Sequence, residues 1–414
     1  MVFNKKFMTG VAFAAMMTGL AACSGGGEEA TEGGGEGGEK ITIFQTKVEI
    51  SDQLEAAAET YTEETGVEVE VIGTTGDDYL QQLQIRLNNG TGPSIMSLQN
   101  STVAESLKSY VYDLSDEEFV SNIAPNMALT LDDKVVGIPY GVEGFGLVYN
   151  KDLVKPEDIK DFESFTSTLE KFKAEDINGL GLSSEDYFLI GHISNYPFSL
   201  QEDPEAFMDG LTSGDVTMAE TEEFLRFGEF MESIRENTAS PLGVAYDQQV
   251  GDFAAGKTAM IHQGNWASSL LSDFEVDFEV GMAPFPLEGN TKQAVGVGSN
   301  WAVNSEKEPE EIEAAVDFLD WLHTSETGKK IIVEEFGFIP AMTNIEANDL
   351  DPLSQAVFEA SNSGNTIPWS HNYYPANLVP NDFAPAAEEF FANPDMTGEE
   401  FIGNLDAAWQ NAVK

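Results

Sequence analysis

The sequence predicts an α/β protein, and three observations support that class. Just past Lys40, apolar stretches of strand length alternate with stretches of helical periodicity in the order β-α-β-α-β. Glycine and proline clusters punctuate that alternation. In addition, 42% of the 414 residues are apolar, enough for two lobes with cores of their own. With 27 Phe, 11 Tyr and 5 Trp, disorder is not expected outside the N-terminal tail.

Ile41-Thr42-Ile43-Phe44 reads as the first strand. Residues 51–65 follow as a helix, with Leu54, Ala57, Ala58 and Tyr61 at helical spacing and Gly66 as its stop. Residues 67–71 alternate apolar and acidic side chains, the period of a strand. A second helix covers 77–87, and Asn88-Asn89-Gly90-Thr91-Gly92-Pro93 breaks it. Residues 94–98 form the third strand. Strands joined by helices in this order imply a parallel sheet covered by helices. Further along, helices are expected at 162–174, 221–237 and 310–323, and strands at 146–149, 258–262 and 296–303. Open sheets of this kind bind ligands at the carboxyl ends of their strands.

Residues 1–22 read as a secretory signal, in which Lys5 and Lys6 lead into an apolar stretch ending at Leu20-Ala21-Ala22-Cys23. Small residues before a cysteine suit a lipoprotein signal peptidase, which needs the thiol to carry a diacylglyceryl group. Cys23 is the single cysteine, so no intramolecular disulfide competes for it. The apolar stretch is shorter than the about 20 residues of a membrane span. The expectation is therefore a Cys23 carrying acyl chains such as palmitate, which holds the chain on the extracytoplasmic face of the cell membrane. Residues 23–40, rich in Gly and Glu, read as a flexible, charge-extended tether.

Asp and Glu number 72 against 20 Lys and Arg, a formal net charge of −52. That balance argues against nucleic acid and against anionic lipid as electrostatic partners. The acids are spread along helical segments, as at Glu55, Glu59, Glu63 and Glu64, which reads as a solvated face with salt adaptation as its cause. No metal or cofactor is expected. His192, His262, His323 and His371 stand far apart in the chain, without zinc-ligand spacing. Neither a nucleophile elbow nor a phosphate loop occurs. No carboxylate pair stands out as catalytic, so a glycoside hydrolase is set aside and the chain is read as a non-enzyme.

The run Gly137-Ile138-Pro139-Tyr140-Gly141-Val142-Glu143-Gly144-Phe145-Gly146-Leu147-Val148-Tyr149-Asn150 resembles the central signature of family 1 extracellular solute-binding proteins of the maltose-binding-protein type. Phe253-Ala254-Ala255-Gly256-Lys257-Thr258-Ala259-Met260 through Gly264-Asn265-Trp266 fits the same family. So does the stretch from Val295-Gly296-Val297-Gly298 through residues 314–322 to Phe336-Gly337-Phe338-Ile339-Pro340. The resemblance implies a two-lobed, type II periplasmic-binding-protein-like fold. Lobe one would take 41–142 and 300–340, and lobe two 145–295 and 343–414. Crossings near Glu143, Ser299 and Ala341 would form a hinge around a ligand cleft. It also implies a monomer that captures an oligosaccharide and passes it to the permease subunits of an ABC importer. A same-fold binder of a polyamine or ferric ion is the alternative.

Sugars offer apolar C–H faces and a rim of hydroxyls, so their sites need aromatic platforms and side chains that bond hydroxyls in pairs. Trp266 follows Gly264-Asn265 in a polar turn, and the resemblance implies that it stacks on sugar. At Glu143 the resemblance implies a hydroxyl-binding carboxylate, with a hinge-stabilising ion pair as the other reading. In Trp369-Ser370-His371-Asn372-Tyr373-Tyr374-Pro375, at least one of Trp369, Tyr373 and Tyr374 is expected to touch ligand. Gln45, Thr46 and Lys47 follow the first strand, and Gln99 and Asn100 the third, where this fold places contacts. Asp78 and Tyr79 either reach the ligand or start the second helix. Trp301, Tyr187 and Phe188 are cleft aromatics or core residues. Gly141, Gly144, Gly146, Gly296 and Gly298 serve either hinge bending or close packing.

Overall fold

A computed structural model describes residues 40–73, 76–125, 127–348 and 350–414. The signal segment 1–22, Cys23 and the tether up to residue 39 lie outside the described residues. In chain order the strands are β1 Lys40–Gln45, β2 Glu68–Gly73, β3 Ile95–Leu98, β4 Leu129–Leu131, β5 Lys134–Pro139 and β6 Val142–Asn150. They continue with β7 Asn178–Gly181, β8 Thr258–Gly264, β9 Val280–Ala283, β10 Gln293–Val297, β11 Asn300–Val303 and β12 Thr366–Ile367.

The first sheet has the order β2-β1-β3-β11-β5-β4. Strands β2, β1 and β3 run parallel, as helical crossovers require. The helix Ser51–Thr65 between the first two buries Leu54, Ala57, Ala58 and Tyr61, and Gly66 ends it at φ 85°. Beyond β3 the sheet turns antiparallel, so it is mixed, not parallel throughout. Strand β11 reaches it from the other sheet, so no helical crossover sets its direction. Both faces are covered. Ile41, Ile43, Ile95 and Val303 pack with residues of the helix Pro309–Thr324, while Phe44, Met96, Leu98 and Ala302 pack into a second cluster.

The second sheet runs β12-β10-β6-β8-β7, with β9 also paired to β6. Strand β6, buried over its whole length, is its spine. Strand β10 pairs with its first residues, β9 with its last, and β8 with its middle. The helices Phe162–Ala174, Glu222–Asn237 and Gly398–Ala412 cover this sheet with a phenylalanine-rich core. Within it Phe165 stacks on Phe230 at 5.2 Å and Phe390 on Phe401 at 4.5 Å.

Three crossings connect the two halves, and hydrogen bonds tie them side by side. Tyr140-Gly141 leads from β5 to β6, Gly298-Ser299 from β10 to β11, and residues 338–342 pass back toward the second half. The Tyr140 amide donates to the Ser299 carbonyl at 2.9 Å, and the Val142 amide to the Ile339 carbonyl at 2.8 Å. Residues 296–303, expected as one strand, are thus the ends of two strands in two sheets, broken at Gly298-Ser299. The architecture is a two-lobed, periplasmic-binding-protein-like α/β fold.

Candidate ligand-binding site

Where the crossings meet, a cavity of about 630 Å³ opens, lined from both halves of the fold. Its size is that of small-molecule sites. Its polar edge begins in the turn after β1. There the Gln45 side-chain carbonyl accepts from the Lys47 amide at 2.5 Å, which fixes the turn. The Lys47 ammonium donates to Glu143 Oε1 at 2.5 Å and to Glu49 Oε1 at 3.3 Å. Burial works against the Lys47 charge, but the two carboxylates outweigh it and hold the ammonium above the ordinary lysine value. Burial lifts Glu143 above the usual carboxylate range. Lys47 pulls it back in part, and Glu49 adds to the rise. One ammonium therefore serves two carboxylates.

Two glycines make room for this edge. A Cβ at position 298 would stand 2.0 Å from Glu143 Oε2, and one at 296 would stand 2.6 Å from Trp369 Cγ. Neither residue has a positive φ, so close approach is what requires glycine here.

An aromatic cluster backs the cavity, with His192, Trp369 and His371 on its lining. Phe145 of β6 is ringed by His192 at 4.6 Å, Trp369 at 5.2 Å, His371 at 5.7 Å and His262 at 6.0 Å between ring centres. A π-helical turn, Tyr187–Gly191, precedes His192 and lays Tyr187 and Phe188 along the wall. Trp266 precedes the short helix Ala267–Ser272, and its indole N–H donates to Gln263 Oε1 at 2.7 Å. Its ring meets Trp369 edge to face at 6.4 Å and 87°, so the two indoles form a corner. The Lys47 ammonium lies 5.5 Å from the Trp266 ring centre.

Of the three histidines around Phe145, His192 and His371 line the cavity, and burial holds all three neutral near pH 7. It pushes His262 down to about 4 and His371 to about 3. His192 falls well below its ordinary value through burial first, then through His262, His371 and Lys47. His262 Nδ1–H donates to the Gly146 carbonyl at 3.1 Å, which assigns its tautomer. These histidines are scattered in the chain, and the fold alone gathers them. Among the described residues, no group of three His, Cys, Asp or Glu side chains is arranged to hold a metal ion.

Of the residues singled out from sequence, Thr46, Lys47, Gln99, Glu143, Tyr187, Phe188, Trp266 and Trp369 meet at this cavity. Others are placed elsewhere. Gln45 is fully buried and spends its amide on the Lys47 turn and on Ser51. Asn100 caps the helix Ser101–Ser106 by accepting from the Val103 amide, and lines a separate small cavity. Asp78 is exposed in the first turn of the helix Gly76–Asn88. Tyr79 is core, with its hydroxyl donating to the Phe44 carbonyl and accepting from the Ser97 amide. Trp301 is core too, stacked on Tyr140 at 3.6 Å. Tyr373 is 66% exposed and lines neither cavity. Tyr374 is buried against Phe198 and Trp409, with its hydroxyl donating to the Ser194 carbonyl.

Sequence reasoning missed Glu49, Glu185, His192, Tyr246 and His371 on the wall. His371 lay inside the aromatic loop already in view, whereas the other four carry no local signal. Five polar atoms of wall residues are buried without a hydrogen-bond partner: Glu185 Oε2, His192 Nδ1, the Tyr246 hydroxyl, Ser299 Oγ and the Trp369 indole N–H. Leaving such groups unpaired costs about 1–3 kcal/mol each, so they are the polar groups of the wall with most to gain from a partner.

Comparison with known proteins bears on the family and the fold. Residues 56–357 match the profile of a family described as bacterial extracellular solute-binding protein. A maltooligosaccharide ABC transporter solute-binding lipoprotein of Streptococcus pneumoniae is 25% identical over 338 residues, 76% of each chain. A galactooligosaccharide-binding protein of Bacillus subtilis is 24% identical over 366 residues, 84% of this chain and 83% of that one. Among solved structures, the solute-binding protein RafE in complex with raffinose superposes with a TM-score of 0.76 at 18% identity. That match covers 91% of this chain and all of the other.

Proposed function

The chain belongs to the bacterial extracellular solute-binding proteins, and from that premise we propose that it captures an oligosaccharide in the cavity and delivers it to an ABC importer. The observation that carries the sugar reading is an indole corner set among polar side chains in one cavity. Trp266 and Trp369 supply ring faces for C–H surfaces, while Glu185, His192, Tyr246 and Ser299 line the same cavity with side chains of the kind that bond hydroxyls. The two curated relatives cited above are named for oligosaccharides, which favours the same class here. The protein binds without turnover, as a monomer, and the lobes close about the Glu143, Ser299 and Ala341 crossings. Acyl chains on Cys23 hold it at the extracytoplasmic face of the membrane. No helix among the described residues is long and apolar enough to cross a membrane.

Calorimetry and thermal shift against neutral oligosaccharides, spermidine and ferric ion test this reading. A saccharide in excess should raise the melting temperature by mass action and leave the assay unhydrolysed. A response to spermidine or iron with none to any sugar would overturn it. The acidic cavity wall is the one observation that favours the polyamine arm.

A further inference from the structure

The charged residues lining the cavity are one lysine and four carboxylates: Lys47, Glu49, Glu143, Glu185 and Asp247. No arginine lines it among the described residues, and its two histidines, His192 and His371, are neutral. The single ammonium is already committed to Glu143 and Glu49 on its own side. Elsewhere on the wall, Glu185 Oε1 accepts from the Tyr246 amide at 2.8 Å, while Oε2 is buried without a partner. Neither Glu185 nor Asp247 forms an ion pair among the described residues.

We propose that the cavity selects its ligand by charge: it takes uncharged or amine-bearing saccharides and rejects acidic ones, with Glu185 and Asp247 setting that specificity. The inference rests on the saccharide reading above and deepens it. A saccharide carboxylate, sulfate or phosphate entering this wall meets uncompensated negative charge inside a partly desolvated space, where Coulomb repulsion is far stronger than in water. A hydroxyl or an ammonium instead completes Glu185 Oε2. The Tyr246 phenol shows where the field converges. Burial raises it well above its ordinary value, and Glu49, Asp247, Glu143 and Glu185 each push it higher.

The test takes the best-binding neutral trisaccharide of a panel containing maltotriose and raffinose. It is compared with the same sugar bearing one primary hydroxyl oxidised to a carboxylate. Titration calorimetry at low salt should show the acid bound more weakly by about tenfold or more, equivalent to ~1.4 kcal/mol. Raising the ionic strength should narrow that gap, because screening acts on charge and not on shape. Glu185→Gln with Asp247→Asn should narrow it too, since the glutamine keeps an oxygen for the Tyr246 amide. Asp247 is exposed, so Asp247→Asn alone serves if the double variant does not fold. An acid that binds as well as its parent overturns the proposal. So does a gap that neither salt nor the variants change, which would mark a steric cause. Binding of no saccharide at all would instead bring down the functional reading, and this inference with it.

Discussion

Gly298→Ala tests the packing at the Gly298-Ser299 crossing through a single methyl group. The added Cβ would stand 2.0 Å from Glu143 Oε2 and 3.3 Å from Trp369 Cζ3. Carbon and oxygen need well over 3 Å, so the carboxylate must retreat by about 1 Å or more. It is held at 2.5 Å on Lys47 and is almost fully buried, so retreat breaks the ion pair. Overpacking a dense site costs about 1–3 kcal/mol. Breaking a buried pair costs about 3–5 kcal/mol, a ceiling here because burial already favours the protonated form of Glu143. The expected loss is therefore about 2–4 kcal/mol of stability. Urea unfolding followed by tryptophan fluorescence measures it, and calorimetry with the bound sugar should show weakened affinity as well. In a Glu143→Ala background the methyl meets only Trp369 Cζ3, at 3.3 Å, so its additional cost should drop below about 1 kcal/mol, a coupling that a double-mutant cycle reads directly. A loss under about 0.5 kcal/mol in the single variant, with affinity unchanged, would refute the packing argument.

Trp266→Ala should lower sugar affinity by about 2–3 kcal/mol while the fold is retained, and a variant that binds normally would show the site to be misplaced. All four histidines are buried, with His262 and His323 pushed down to about 4 and His371 to about 3. Between pH 6.5 and 4 the unfolded chain takes up protons that the folded one refuses, so stability is full above that window and falls as the pH drops through it. Urea midpoints across the range should show the decline, and a flat profile would contradict neutral buried rings. Cys23→Ala should release the protein from the membrane, or leave it as precursor, with sugar affinity intact, because two acyl chains make a stable anchor. Mass spectrometry finding an unmodified Cys23 would rule out the anchor.

Local sequence determined the elements whose signals are local. The helices Ser51–Thr65 and Phe162–Ala174 were legible to the residue, the first because apolar spacing and its end signal Gly66 lie within a few turns of one another. Three blocks of resemblance were enough to expect two lobes and a cleft. The strand at 296–303 was not legible as two, since extended residues keep the same period whichever sheet they join, and only pairing partners distinguish the sheets.

The site divided along the same line. Sequence alone determined the chemistry to expect, namely indoles, amides and carboxylates at strand ends and crossings. It could not tell Trp369, which lines the cavity, from Tyr373 in solvent or Tyr374 in the core, although all three share one loop. Tertiary structure alone brought Lys47 to Glu143 across 96 positions, set Glu185 and Tyr246 on the same cavity wall, and closed three distant histidines around Phe145. The physical reason is range. Periodicity and capping act between neighbours a few residues apart, whereas desolvation, ion pairing and ring packing depend on what the folded chain places nearby.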